Sequence, residues 1–174
     1  IFSIATLPGM KERTLIIDSV SKSFAMTGFR VGFATGPVHL IELMTKCVEN
    51  VYSAVATPSQ YAALVAFDKG MEAMMAMKKE YKKRRDFLVS RINEMDKISC
   101  IMPKGAFYVF ANIKKTGLSA EEFAERLLEK EHVAVIPGSN FSKNASGYVR
   151  ISYGTSMEKI EDGLNRMECF LKSL

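Results

Sequence analysis

Residues 19–32 read Ser-Val-Ser-Lys-Ser-Phe-Ala-Met-Thr-Gly-Phe-Arg-Val-Gly and link two short apolar runs, 15–18 and 30–35. Runs of this length, the second closed by Gly36-Pro37, fit buried strands. The chain must therefore place a polar loop rich in hydroxyls and cations at the ends of two strands. Lys22 follows Ser19 and Ser21 closely, and Arg30 comes eight residues after it. A lysine amine condenses with an aldehyde to a Schiff base. Hydroxyls and a guanidinium hold a phosphate dianion, the guanidinium through parallel donors that an ammonium lacks. These residue types in this order suit a ligand that carries both an aldehyde and a phosphate.

Pyridoxal 5'-phosphate is such a ligand. The segment resembles the lysine signature of the fold-type I, class I/II aminotransferases, the aspartate and aromatic aminotransferase-like group. Ser19, Ser21, Lys22, Met26-Thr27-Gly28, Arg30 and Gly32 carry the resemblance. It implies that Lys22 is the catalytic residue, forming the Schiff base and moving the substrate's α-carbon proton. It implies phosphate contacts for Ser19 and Arg30, with Ser21 either a third contact or a residue that shapes the loop. Gly28 and Gly32 are expected to relieve backbone crowding. The plain alternative is a surface lysine in a turn between strands.

A second stretch, Gly147-Tyr-Val-Arg-Ile-Ser-Tyr-Gly154, resembles the family segment whose arginine grips the substrate α-carboxylate. Arg150 takes that position, and a planar guanidinium suits bidentate carboxylate recognition. Its bland alternative is a strand arginine in a surface ion pair. Pro103-Lys-Gly-Ala-Phe-Tyr-Val-Phe110 resembles a segment lining the substrate cleft, so Phe107 and Tyr108 are either cleft or core residues. Pro137-Gly-Ser-Asn-Phe141 matches the loop before the arginine strand, with Ser142 where the family often has glycine.

The resemblance covers nearly the whole chain and implies an α/β fold. Residues 1–77 would be the C-terminal end of the cofactor-binding large domain, and 78–174 a small α+β C-terminal domain. It also implies a longer parent protein. The partner of the pyridine nitrogen, the ring-stacking aromatic and a backbone phosphate loop would lie before Ile1, so this chain would not complete a site alone. The implied activity is transfer of an amino group between an amino acid and a 2-oxo acid, in a homodimer whose loop 52–57 reaches the partner's site. A β-lyase or synthase on the same scaffold is an alternative, since fold and cofactor do not fix the reaction. So is a ligand-sensing domain of a transcription regulator, or a structural module without activity.

Composition narrows the remaining classes. The chain has 174 residues, 48% hydrophobic and 25% charged, an ordinary globular balance. No apolar run approaches the roughly 18 residues that cross a bilayer, and no export leader is visible. The net charge of +5 owes much to Lys78, Lys79, Lys82, Lys83, Arg84 and Arg85. Glu80 and Asp86 interrupt that run, which reads as a solvated helix face and not as a nucleic-acid footprint. Cys47, Cys100 and Cys169 are odd in number and far apart, which argues against a disulfide framework and fits a reducing cytoplasm. His39 and His132 have no partner at metal-ligand spacing, so no metal is expected.

Beyond the lysine loop, the pattern predicts helices over 38–49, 57–70 and 72–95. Thr57-Pro58-Ser59-Gln60 reads as a start with Thr57 as cap, and the Met-rich opening of the third helix as core packing. Strands are expected over 98–102, 107–113, 133–136 and 148–152. Ser119 and Glu122 form a capping box for a helix to about residue 131. Thr155 and Glu158 cap the last helix, where Ile160, Leu164, Met167 and Leu171 share a face.

Overall fold

The computed structural model describes residues 2–174; Ile1 lies outside the described residues. The chain divides into two compact units, Ile1–Ala76 and Met77–Leu174.

The first unit is built on a two-stranded antiparallel ribbon. Strands β1 (Ile16–Ser19) and β2 (Gly32–Thr35) pair from Ile16↔Thr35 to Ser19↔Gly32. Between them the chain forms a single helical turn, α1 (Val20–Ser23), and a 3-10 turn, Thr27–Phe29. Val20 is fully buried and forms a small core with Met26 and Ala63, backed by Phe24 and Val31. Helices α2 (Val38–Tyr52) and α3 (Thr57–Lys69) follow. Many apolar side chains of this unit are open to solvent, among them Ile17, Leu43, Val51 and Leu64. Met71 and Met75, expected in the core, are also exposed.

Helix α3 starts one residue earlier than the capping pattern suggests. Ala56 is the N-cap, Thr57 the first helical residue and Pro58 the second, where the missing N–H costs nothing. The Gln60 amide donates to the Val55 carbonyl at 2.7 Å instead of closing a box with Thr57.

Most of helix α4 (Met71–Glu94) belongs to the second unit, a two-layer α+β fold. Strands β3 (Ser99–Cys100) and β4 (Tyr108–Asn112) come next, then helix α5 (Ala120–Glu131). Strands β5 (Ile136–Pro137) and β6 (Tyr148–Ser152) precede helix α6 (Met157–Lys172). The sheet order is β3-β4-β6-β5, antiparallel throughout. Side chains alternate across it. Val109, Ala111, Val149 and Ile151 are buried with Leu88 of α4 and Phe170 of α6 in one core. Tyr108, Phe110, Tyr148 and Arg150 take the other parity.

Local chemistry sets the element ends. Ser119 and Glu122 form the expected capping box, both reciprocal bonds being present. The last helix is capped by Ser156, whose Oγ accepts from the Lys159 N–H at 3.3 Å, and not by Thr155. Strand β3 is shorter than expected, and the Asn93 amide binds both backbone groups of Cys100. It accepts from the Cys100 N–H at 2.8 Å and donates to the Cys100 carbonyl at 3.1 Å. Strand β5 begins only at Ile136, and Pro137, which lacks an N–H, ends it.

Candidate functional site

The ribbon end positions the lysine loop. Ser19 is the last residue of β1 and pairs with Gly32, while the Val20 N–H donates to the Val31 carbonyl at 3.3 Å. Buried Val20 anchors α1, so Ser19 and Ser21 flank it half-buried and Lys22 emerges exposed. Arg30 stands two residues before Gly32, at the same end of the ribbon as Ser19. The strand expected from residue 30 begins at Gly32. Arg30 itself has φ 55 and ψ 45, a left-handed conformation that a non-glycine residue adopts at a cost of about 1 kcal/mol. Its Nη1 donates to the Thr27 carbonyl at 2.7 Å and holds the turn. Ala25, in the same loop, also has positive φ. A β-carbon at Gly32 would sit 3.2 Å from the Asp18 carbonyl oxygen, whereas Gly28 has open space around it and relieves no crowding.

These groups form a donor set. Among the described residues the Ser19 and Ser21 hydroxyls have no hydrogen-bond partner, although Ser19 occupies an N-cap position. Arg30 has no carboxylate partner among the described residues. Two hydroxyls and a guanidinium without an acid suit a bound dianion. Residues 19, 21, 22 and 30 thus share one loop, and Arg150 belongs to the other unit.

Arg150 lies in the middle of β6, opposite Phe110 on β4 and Ile136 on β5. Its guanidinium carbon is 4.2 Å from the centre of the Tyr108 ring and 4.5 Å from that of Phe141. It makes no ion pair or side-chain hydrogen bond with a described residue. Among the described residues the surface ion pair of the alternative reading is therefore not formed. Of the two aromatics left open by the sequence, Phe107 packs against the core and stacks on Tyr81 at 5.9 Å, and Tyr108 meets Arg150. The sequence did not reveal the rings around Arg150, because Tyr108, Phe141 and Arg150 meet only through sheet register and a loop.

That loop is held locally. The Phe141 N–H donates to the Gly138 carbonyl at 2.9 Å. The Ser139 hydroxyl donates to Glu121 and holds that carboxyl below its ordinary range. Ser142 caps the following turn, its Oγ accepting from the Asn144 N–H at 3.3 Å.

The family model for aminotransferase class I and II matches residues 2–167. The chain belongs to this family. An aspartate aminotransferase of Pyrococcus abyssi (strain GE5 / Orsay) is 46% identical over 173 residues, 98% of this chain and 44% of that relative. Aromatic-amino-acid aminotransferase 2 of Thermococcus litoralis is 44% identical over 173 residues, again 98% of this chain and 44% of the relative. The structure of an aromatic aminotransferase from Pyrococcus horikoshii OT3 matches with a TM-score of 0.95 and 45% identity, covering 99% of this chain and 46% of that one. The chain thus spans less than half the length of these relatives, and its fold is a portion of the fold-type I aminotransferase architecture.

Elsewhere the chain carries ordinary surface chemistry. The basic run of α4 is paired along its own helix, Lys82 with Asp86 at 2.6 Å and Arg84 with Glu80 at 3.0 Å. Among the described residues no three His, Cys, Asp or Glu side chains are grouped to hold a metal ion. Among them, too, no helix is long and apolar enough to cross a membrane.

Proposed function

We propose that this chain is the C-terminal part of a pyridoxal-phosphate-dependent enzyme that transfers an amino group between an amino acid and a 2-oxo acid. The observation that carries the reading is the donor set at the ribbon end. Ser19 and Ser21 present hydroxyls without partners among the described residues, Lys22 follows on α1, and Arg30 stands two residues before Ser19's strand partner. Family membership supports the reading, and the relatives reported above are named for amino-group transfer. None of those relatives is named a lyase, synthase or regulator. Their greater length supports a parent enzyme in which residues 1–77 end the cofactor-binding domain and 78–174 form the small domain.

In that enzyme Ser19, Ser21 and Arg30 hold the cofactor phosphate, Arg30 through its planar donors. Lys22 holds the cofactor covalently through Nζ. When bound, pyridoxal phosphate supplies an aldehyde and an electron-withdrawing ring for chemistry at the substrate's α carbon. Once the substrate's amino group has displaced it from the cofactor, the freed Lys22 Nζ would take the α-carbon proton as general base. Arg150 grips the α-carboxylate and fixes the α carbon's orientation, which favours proton removal over tumbling in the site. The parent enzyme acts as a cytoplasmic homodimer, and the three free cysteines fit a reducing compartment.

Steady-state kinetics of Arg150→Lys test the reading. Loss of the parallel donors should lower kcat/KM by about 10-fold or more for three dissimilar amino acids alike, with cofactor content unchanged. Unchanged kcat/KM for all three would remove Arg150 from the site.

A further inference from the structure

We propose that Tyr108 and Phe141 are positioning residues that clamp the guanidinium of Arg150 between two aromatic faces and leave its N–H edge for a carboxylate. The inference rests on the reading of Arg150 as the carboxylate grip, and it adds how that grip is held.

An arginine can be fixed in place in two ways. A carboxylate can bind its donor edge, or a ring can cover its weakly hydrated face. The half-buried arginines of α4 use the first way: Arg84 pairs with Glu80 at 3.0 Å, Arg85 with Asp86 at 2.7 Å, and Arg91 with Glu168 at 3.1 Å. Arg150 is equally half-buried but has rings at 4.2 and 4.5 Å and no acid among the described residues. No ring contact joins Tyr108 to Phe141, although both centres lie this close to the same carbon. Two rings on one side of the guanidinium would touch each other, so they cover different sides.

The consequence is chemical. An acid partner would hold the guanidinium but would occupy the donors that a substrate needs. Rings hold it and leave those donors and the full charge available. The clamp has its own backing. Phe141 meets Phe110 edge-on at 5.8 Å, and Phe110 meets Tyr148 at 6.0 Å, directly across from Arg150 in the sheet.

The test uses the parent enzyme for binding and the 174-residue chain for spectroscopy. Propionate, a carboxylate with no amino group and a minimal side chain, is measured as a competitive inhibitor of wild type, Arg150→Lys, Tyr108→Leu, Phe141→Leu and Phe141→Tyr. Tyr108→Leu and Phe141→Leu should each weaken propionate by about fivefold, and Phe141→Tyr should restore it to near wild type. In the NMR spectrum of the chain, ring currents should displace the Arg150 Hε resonance from its free-arginine position. Phe141→Leu should move it back, with the melting curve unchanged. Weaker propionate binding in Phe141→Leu at an unchanged melting curve, with binding kept in Phe141→Tyr, is what separates positioning from a purely structural role. If both leucine variants bind propionate like wild type while Arg150→Lys does not, the clamp is refuted and the grip stands. If Arg150→Lys also binds like wild type, the grip itself has failed and the clamp falls with it.

Discussion

Gly138 lies so close to Tyr148 that a β-carbon on it would sit 2.7 Å from the Tyr148 carbonyl oxygen, with the Ala145 carbonyl closer still. Both obstacles are backbone, so neither gives way cheaply. Gly138 is also the acceptor for the Phe141 N–H and opens the turn that delivers the Phe141 ring to Arg150. Gly138→Ala should therefore destabilise the second unit by about 1–3 kcal/mol, read from denaturant unfolding of the chain. A change within about 0.5 kcal/mol would mean that the loop relaxes without strain.

The Glu168 carboxylate ties α6 to α4. It accepts from Lys172 at 2.7 Å and from Arg91 at 3.1 Å, and these bonds, Lys172 first, hold its pKa below the ordinary value of 4.5. A depressed carboxylate pKa adds stability above the unfolded value, and that stability is lost as pH falls through the folded value. Glu168→Gln should thus lower the melting temperature slightly at about pH 7, and the difference from wild type should close at about pH 3. Thermal unfolding of both proteins across that range checks it. A difference that stays constant with pH would show that packing, and not charge, is what Glu168 contributes.

Burial pushes the Cys100 thiol up to about 11, and its backbone is tied on both sides to Asn93. At about pH 8 only about one Cys100 in a thousand is thiolate, the reactive form. Cys47 and Cys169 are exposed. Iodoacetamide should therefore add two groups rapidly and a third slowly, with peptide mapping placing the slow one at Cys100. Three adducts forming at one rate would contradict this.

Features decided within a few residues were legible in the sequence. The Ser119–Glu122 box, the span of β6 and the apolar face of α6 all follow from local spacing. The N-caps of α3 and α6 each lie one residue from expectation: Thr155 and Ser156 are rival caps in the sequence, whereas Ala56 offers no side-chain oxygen and only the backbone shows that it stands where Thr57 was expected. The left-handed Arg30 was not legible, since closing the β1–β2 ribbon imposes it. Nor was the tie between Cys100 of β3 and an asparagine from another element. The lysine motif itself is contiguous and could be read directly. The rings beside Arg150 could not, because they come from a different strand and a loop.

The central claim is that Lys22 carries the cofactor. The most direct measurement is borohydride reduction of the pyridoxal-phosphate-loaded parent enzyme, followed by peptide mass mapping. Reduction fixes a lysine–aldehyde linkage as a stable secondary amine. The account predicts one cofactor-sized mass increment on the peptide containing Lys22, and none in Lys22→Ala. An increment on another lysine, or equal labelling of Lys22→Ala, would contradict it.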